Sequence, residues 1–440
     1  MSDLLTRPSS AVAEQVPRTA LRSQLARQVA HWRAATVALA DLDVVASPAA
    51  WAGVERYLDR ELRRHLSTVV AGLRAHGDQL AARLAAAPDS GLGVVQRDLI
   101  DFRRRYLQVE TVLDFFGDAV NHRSTPRLGA LLRGLDVLAS DSMQPVLGPL
   151  GIPAPPVLTY VDKGLGASIL RAGVRLWAEG GLSPAAAIKV TRHNLLRPTA
   201  LVHETGHQVA HLTGWNTELA GVLRATAGPA GSIASVAWGS WASEVAADVQ
   251  AFCLLGYGAV AALHDVVAGD SEGVFRILPG DPHPAAWLRV LFNVELCRLW
   301  FGAGPWDELG AAWTASHPLE RGSTALRAVA DDTLPRMRAL AVACTRRPMR
   351  SFDGRAIAAL TDPTRVSPLE LGRLAERAGE ALWTSTHLQR HESLRILAWS
   401  SLRSAVDLAD APQIAVRFED WLLRAGGGSS TGAPITRRRT

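Results

Sequence analysis

The stretch LVHETGHQVAH, residues 201–211, decides the reading of this chain. It sets His203, His207 and His211 at steps of four, with Glu204 directly after the first. Pro198 suits the first turn of a helix and Gly214 its end, so residues 198–213 are expected to form one helix of about four turns. His203 and His207 then lie one turn apart on one face, where two imidazoles can reach a single zinc ion at roughly 2.0–2.1 Å. Glu204 is rotated about a hundred degrees from His203. That places it beside the metal's open position as a general base rather than as a ligand. The plain alternative is an ordinary helix with polar residues along one side.

Two protein ligands do not complete a catalytic zinc site; a third is needed, with one position open. A histidine ten residues after the first would be the metzincin arrangement, but position 213 is Thr. His211 shares the face of His203 yet lies about 12 Å further along a straight helix, too far for the same ion. It is expected behind the ligands, on the pocket wall, or in a structural role. Downstream, SWASEVAADVQAFCLLG predicts another helix, capped near Ser240 and stopped at Gly256. Glu244 and Asp248 fall one turn apart on it. Glu244 can supply the third ligand, and Asp248 can accept the outer ring N–H of a ligating histidine, which fixes the tautomer. A solvated acidic pair is the alternative, but Val245, Ala246, Ala247, Val249, Ala251 and Phe252 around them describe a packed helix whose acids need partners.

HETGH followed 37 residues later by EVAAD resembles the gluzincin metallopeptidases, in which HExxH on one helix is joined by a Glu from a second, usually with an Asp one turn beyond. ExxAD followed by Ala251 resembles in particular the family that includes the CAAX prenyl-protein endopeptidases. DPHPAAWLR adds His283, Pro284 and Arg289 at the spacing of that family's HPxxxxR segment. HExGHxxxH, with His211, also occurs in repressor-cleaving metallopeptidases. The resemblance covers roughly residues 185–292 and implies a zinc-dependent endopeptidase holding one Zn²⁺ through His203, His207 and Glu244. It further implies Glu204 as the base, His283 as a donor to the oxyanion, and Arg289 as an ion-pair anchor for its loop or a contact for a substrate carboxylate.

The rest of the chain frames this centre. Four long amphipathic patterns, beginning at RSQLARQVAHWRA, WAGVERYLDREL, VVQRDLIDFRRR and RLGALLRGLDV, are separated by SPAA, APDSGLG and NHRSTP. They predict an up-and-down helical bundle over 20–150. Residues 1–19 read as a flexible lead-in. Pro and Gly cluster at VLGPLGIPAPPV, placing a boundary near 150. A zincin-like core over 151–305 follows, in which VRLWA and AIKVT suggest a small β-sheet. AIKVT is the expected edge strand, able to align an extended peptide. Trp238 and Trp241 are expected in the cleft wall or in the core. Helices return over 306–425, and 426–440 is a Gly/Ser-rich tail. The fold class is therefore mainly α: an N-terminal helical bundle, a central metallopeptidase core with a small sheet, and C-terminal helices.

Composition narrows the function. Hydrophobic residues make up 48%, ample for a core, and the net charge of +5 over 440 residues gives no reason to expect nucleic acid. Nearly all the positive charge is Arg, with Lys only at Lys163 and Lys189. The Arg-rich faces of the bundle read as solvated surface, or as the face on which a protein partner docks. Cys253, Cys297 and Cys344 form no CxxC pair and suggest free thiols in a reducing compartment. With no apolar leader and with AFCLLGYGAVAAL too short to span a bilayer, a cytoplasmic enzyme acting on peptide or protein substrates is expected. A metal-stabilised adaptor or regulatory protein with little turnover, and an effector peptidase delivered into another cell, are the competing functions.

Overall fold

The structure is a computed structural model that describes residues 10–58, 61–164, 166–172, 183, 185–278 and 280–427, with side chains from residue 18 onward. It is mainly α, with one three-stranded sheet among the described residues. The chain divides into two compact units: residues 1–121 with 173–184, and residues 122–172 with 185–440.

The first unit is built on helices α1 (Ser10–Leu39), α2 (Pro48–Leu58), α3 (Leu62–Ala86) and α4 (Leu92–His122). Its three long helices bury their apolar stripes on one another, with Trp32 edge-on to Tyr106 and His76 edge-on to Phe102. The expected lead-in is already helical from Ser10. The second amphipathic pattern is divided between α2 and α3. Many bundle arginines are paired within the unit, Arg22 with Asp89, Arg33 with Asp78 and Arg83 with Asp98.

The division falls at His122, not near 150. Helix α5 (Pro126–Leu147), read from sequence as the last helix of the bundle, belongs to the second unit. Its residues are buried on almost every side, as in a central helix. At its middle Asp136 accepts from the Thr159 backbone N–H (2.7 Å) and pairs with buried Arg123 (2.7 Å), which fixes α5 to strand β1 (Val157–Asp162). At Gly134 a Cβ would lie 2.5 Å from the Leu422 carbonyl, so only glycine lets the helix Ala411–Ala425 close on α5. The helices after 305 therefore share one compact unit with the metal-motif segment instead of forming a separate region.

The sheet contains β1, β2 (Ser168–Leu170) and β3 (Ala186–Thr191), in the order β1-β3-β2. β3 runs parallel to β1 in the register Val157↔Ala186 and antiparallel to β2 in the register Ile169↔Ile188. AIKVT is thus the central strand, not the edge. AAIKVT is buried on both faces, as a strand covered on both sides must be, and the edges are β1 and the three-residue β2. VRLWA lies outside the described residues.

Beyond the sheet come α6 (Thr199–Thr213), α7 (Trp215–Ala227), α8 (Ile233–Ser240), α9 (Ala242–Leu255), α10 (Tyr257–Val267), α11 (Ser271–Val274) and α12 (Ala286–Phe301). Helix α6 has the bounds expected from Pro198 and Gly214, whose φ of 72° ends it. Helix α9 stops at Gly256 as expected, but Ser240 does not cap it. The chain is already helical in α8, and the Ser240 hydroxyl donates to the Ala237 carbonyl. Trp238 and Trp241 are core residues, and the Trp238 indole N–H donates to Thr333 (3.0 Å).

Candidate metal centre

Helices α6 and α9 cross where HETGH carries its glycine. A Cβ on Gly206 would fall 2.7 Å from the Ala247 Cα, so glycine on one helix and alanine on the other set the approach that brings both motifs together. Below the crossing, Thr205 and Ser142 share a 2.6 Å hydroxyl bond that ties α6 to α5. The Gln208 side-chain amide both accepts from Ala172 N–H (2.9 Å) and donates to its carbonyl (3.1 Å). This double bond imitates a strand pairing and holds the segment after β2 against α6.

The crossing brings His203, His207 and Glu244 together, with one donor atom from each lying within 4.8 Å of the others. The Nε2 atoms face Glu244 at 3.4 Å (His203 to Oε2) and 3.3 Å (His207 to Oε1), and the two rings stand nearly perpendicular at 4.9 Å. Each outer nitrogen is held from behind. His203 Nδ1 lies 2.9 Å from Asp248, and His207 Nδ1 lies 3.0 Å from the Ser243 hydroxyl. A carboxylate can only accept, so Asp248 keeps the proton on Nδ1 and turns Nε2 of His203 towards Glu244. Two imidazole nitrogens and a carboxylate converging in this way fit a tetrahedral zinc with one position left open.

Arg289 sits behind this group on α12, with its guanidinium buried. It donates to Asp248 through Nε (2.7 Å) and Nη2 (2.8 Å), and to Glu244 Oε2 (2.9 Å). Asn293, one turn on, also donates to Asp248 (3.3 Å). Arg289 thus clamps both acids of α9, and no ion pair among the described residues ties it to the DPHP loop. Burial alone would raise Asp248, but Arg289 and His203 hold it down at about 2, and the two histidines with Arg289 hold Glu244 well below the usual carboxylate range. Burial would lower His203, yet its bonds to Asp248 and Glu244 push it up to about 10 in the metal-free protein.

Glu204 is buried in the wall of the same cavity, which has a volume of about 520 Å³. Among the described residues nothing hydrogen-bonds its carboxylate. Burial raises its pKa, partly opposed by both histidines. A carboxylate with a raised pKa and no partner is prepared to take a proton. His283 hangs at the mouth, mostly exposed, with Nε2 3.6 Å from Glu244 Oε1. Asp281 accepts from its backbone N–H (2.9 Å) and lies 2.8 Å from its Nδ1, so the free Nε2 faces the cavity. His211 is not part of the group. Two turns beyond His203 it lies outside the cavity, and partial burial, followed by the charge of Arg171, lowers its pKa.

Asp281, Ser243 and Asn293 are functional neighbours that the motif reading missed. Asp281 and Ser243 stand two and one positions from His283 and Glu244, and Asn293 is one helical turn after Arg289, so spacing alone would have nominated them. No family model matches this chain, and neither a curated protein nor a solved structure matches it.

Proposed function

We propose that the protein is a zinc-dependent endopeptidase of the gluzincin type, with His203, His207 and Glu244 holding one Zn²⁺. The observation that carries the reading is the convergence of those three donors in the wall of a cavity that also holds the unpartnered Glu204. When bound, zinc lowers the pKa of water towards about 7 and polarises a carbonyl. The chain's own residues supply the rest. Glu204 takes a proton from the attacking water and passes it to the leaving amine. With a proton on each ring nitrogen, His283 gives Nδ1–H to Asp281 and donates from Nε2 to the developing oxyanion. The β2 edge at Ser168 and Ile169 lines the cavity and offers backbone groups to an extended peptide.

Support for a cytoplasmic setting comes from Cys253, Cys297 and Cys344, which are buried as unpaired thiols. No helix among the described residues is long and apolar enough to cross a membrane. A second reading, a structural centre without turnover, draws on Arg289, which already neutralises Glu244 without any metal. Glu204→Gln separates the two. Zinc stoichiometry should stay at one while peptide cleavage falls by about 10²- to 10⁴-fold. Full cleavage by the variant removes Glu204 as the base, and no cleavage by the zinc-loaded wild type favours the structural centre.

A further inference from the structure

The cavity extends past the metal group into a trough along α10. Ala259, Ala262, Leu263 and Val266 line it, spaced as one helical face over about 10 Å. Small residues at two of these positions leave room for a side chain to lie there. The trough also meets the loop entering α6, where Asn194 and Thr199 line the wall. Both are more than nine-tenths buried, at 4% and 3% exposure, and no described residue hydrogen-bonds either side chain. The polar atoms of Asn194 are not sealed from the cavity, so a ligand tip entering it must replace water on the carboxamide. Outside, Arg197 pairs with Asp265 on α10, so that charge is already spent.

We infer that this trough is the specificity pocket for the substrate residue beside the scissile bond. It selects a side chain with an apolar stem and a hydrogen-bonding tip, glutamine above all and tyrosine next. Asn194 both donates and accepts, so it matches a primary carboxamide with two bonds, whereas leucine of similar length leaves it unpaired. Arg171 also lines the cavity, so an acidic tip is the charged competitor of glutamine. The inference rests on the endopeptidase reading for its meaning, but its test does not depend on turnover.

Short alanine peptides carrying one central Gln, Tyr, Leu or Gly are titrated by fluorescence anisotropy into the zinc-loaded full-length Glu204→Gln variant. Gln and Tyr should bind at least about tenfold tighter than Leu. Adding Asn194→Ala should bring the Gln-to-Leu ratio to about one, with zinc content and thermal midpoint checking the fold. Adding Ala262→Leu instead, which fills the trough, should invert the order so that Gly binds better than Gln. Equal binding of Gln and Leu, or a ratio that survives the loss of Asn194, overturns the assignment, as does no binding of any peptide. Should the ratio hold while wild-type protein leaves the Gln peptide uncut, the pocket stands and the peptidase reading falls.

Discussion

Replacing Arg289 with methionine tests the charge balance behind the metal group. The guanidinium is buried and makes three bonds, two to Asp248 and one to Glu244. Methionine keeps the stem's apolar contacts and deletes the charge. Breaking a buried ion pair from one side costs about 3–5 kcal/mol, because the remaining charge stays buried without compensation. Two acids lose a partner here, but protonated His203 still touches both, so the expected loss in metal-free protein is about 3–5 kcal/mol rather than twice that. The pH dependence has a definite sign. Asp248 and Glu244 are depressed in the folded state, so their contribution is present above the unfolded value of about 4 and fades as pH falls towards the folded values. Without Arg289 both folded values rise. The deficit should therefore be largest at pH 6–8 and narrow below pH 4. Zinc places new positive charge beside Glu244 and should recover part of the loss at neutral pH. Equilibrium urea denaturation of wild type and Arg289→Met, with chelator and with zinc, measures each quantity. A metal-free deficit under about 1 kcal/mol at pH 7, or one of equal size at pH 3.5, refutes the reasoning.

Three further outcomes follow from the same geometry. Gly206→Ala forces a methyl into the Ala247 backbone, so it should cost about 1–3 kcal/mol and weaken zinc binding as the helices part; an unchanged thermal midpoint would contradict the crossing. Ser243→Ala removes the partner of His207 Nδ1 and should lower zinc affinity about 10- to 100-fold, read by competition with a chromophoric chelator. Zinc should displace close to one proton at pH 7, because His203 must give up the proton that Asp248 and Glu244 keep on it below about 10. Calorimetry in two buffers of different ionisation enthalpy reads that number, and a value near zero would show that His203 is already neutral.

The two motif helices were legible because their information is local: a four-residue step, a glycine stop and an acid pair one turn apart. What was not legible depends on partners far along the chain. RLGALLRGLDVLASDSM reads as a fourth bundle helix by period. Yet Gly129, Gly134 and the buried Asp136 and Ser142 make it a helix buried on almost every side, one that suits the centre of a unit. AIKVT carries no mark of its place in the sheet except that Ala186 and Ala187 continue the apolar run on both faces, which belongs to a central strand. SIL, one of the two edge strands, is too short to register as a strand. The same logic explains His211 and Arg289. A shared helical face made His211 a plausible neighbour, but distance along the axis removed it. For Arg289, spacing within DPHPAAWLR pointed back to its own loop, whereas its bonds go to α9, because two buried carboxylates need a buried cation more than an exposed loop needs an anchor. Burial therefore decides which of the residues near a motif become its partners: an acid that enters the core must bring its cation with it.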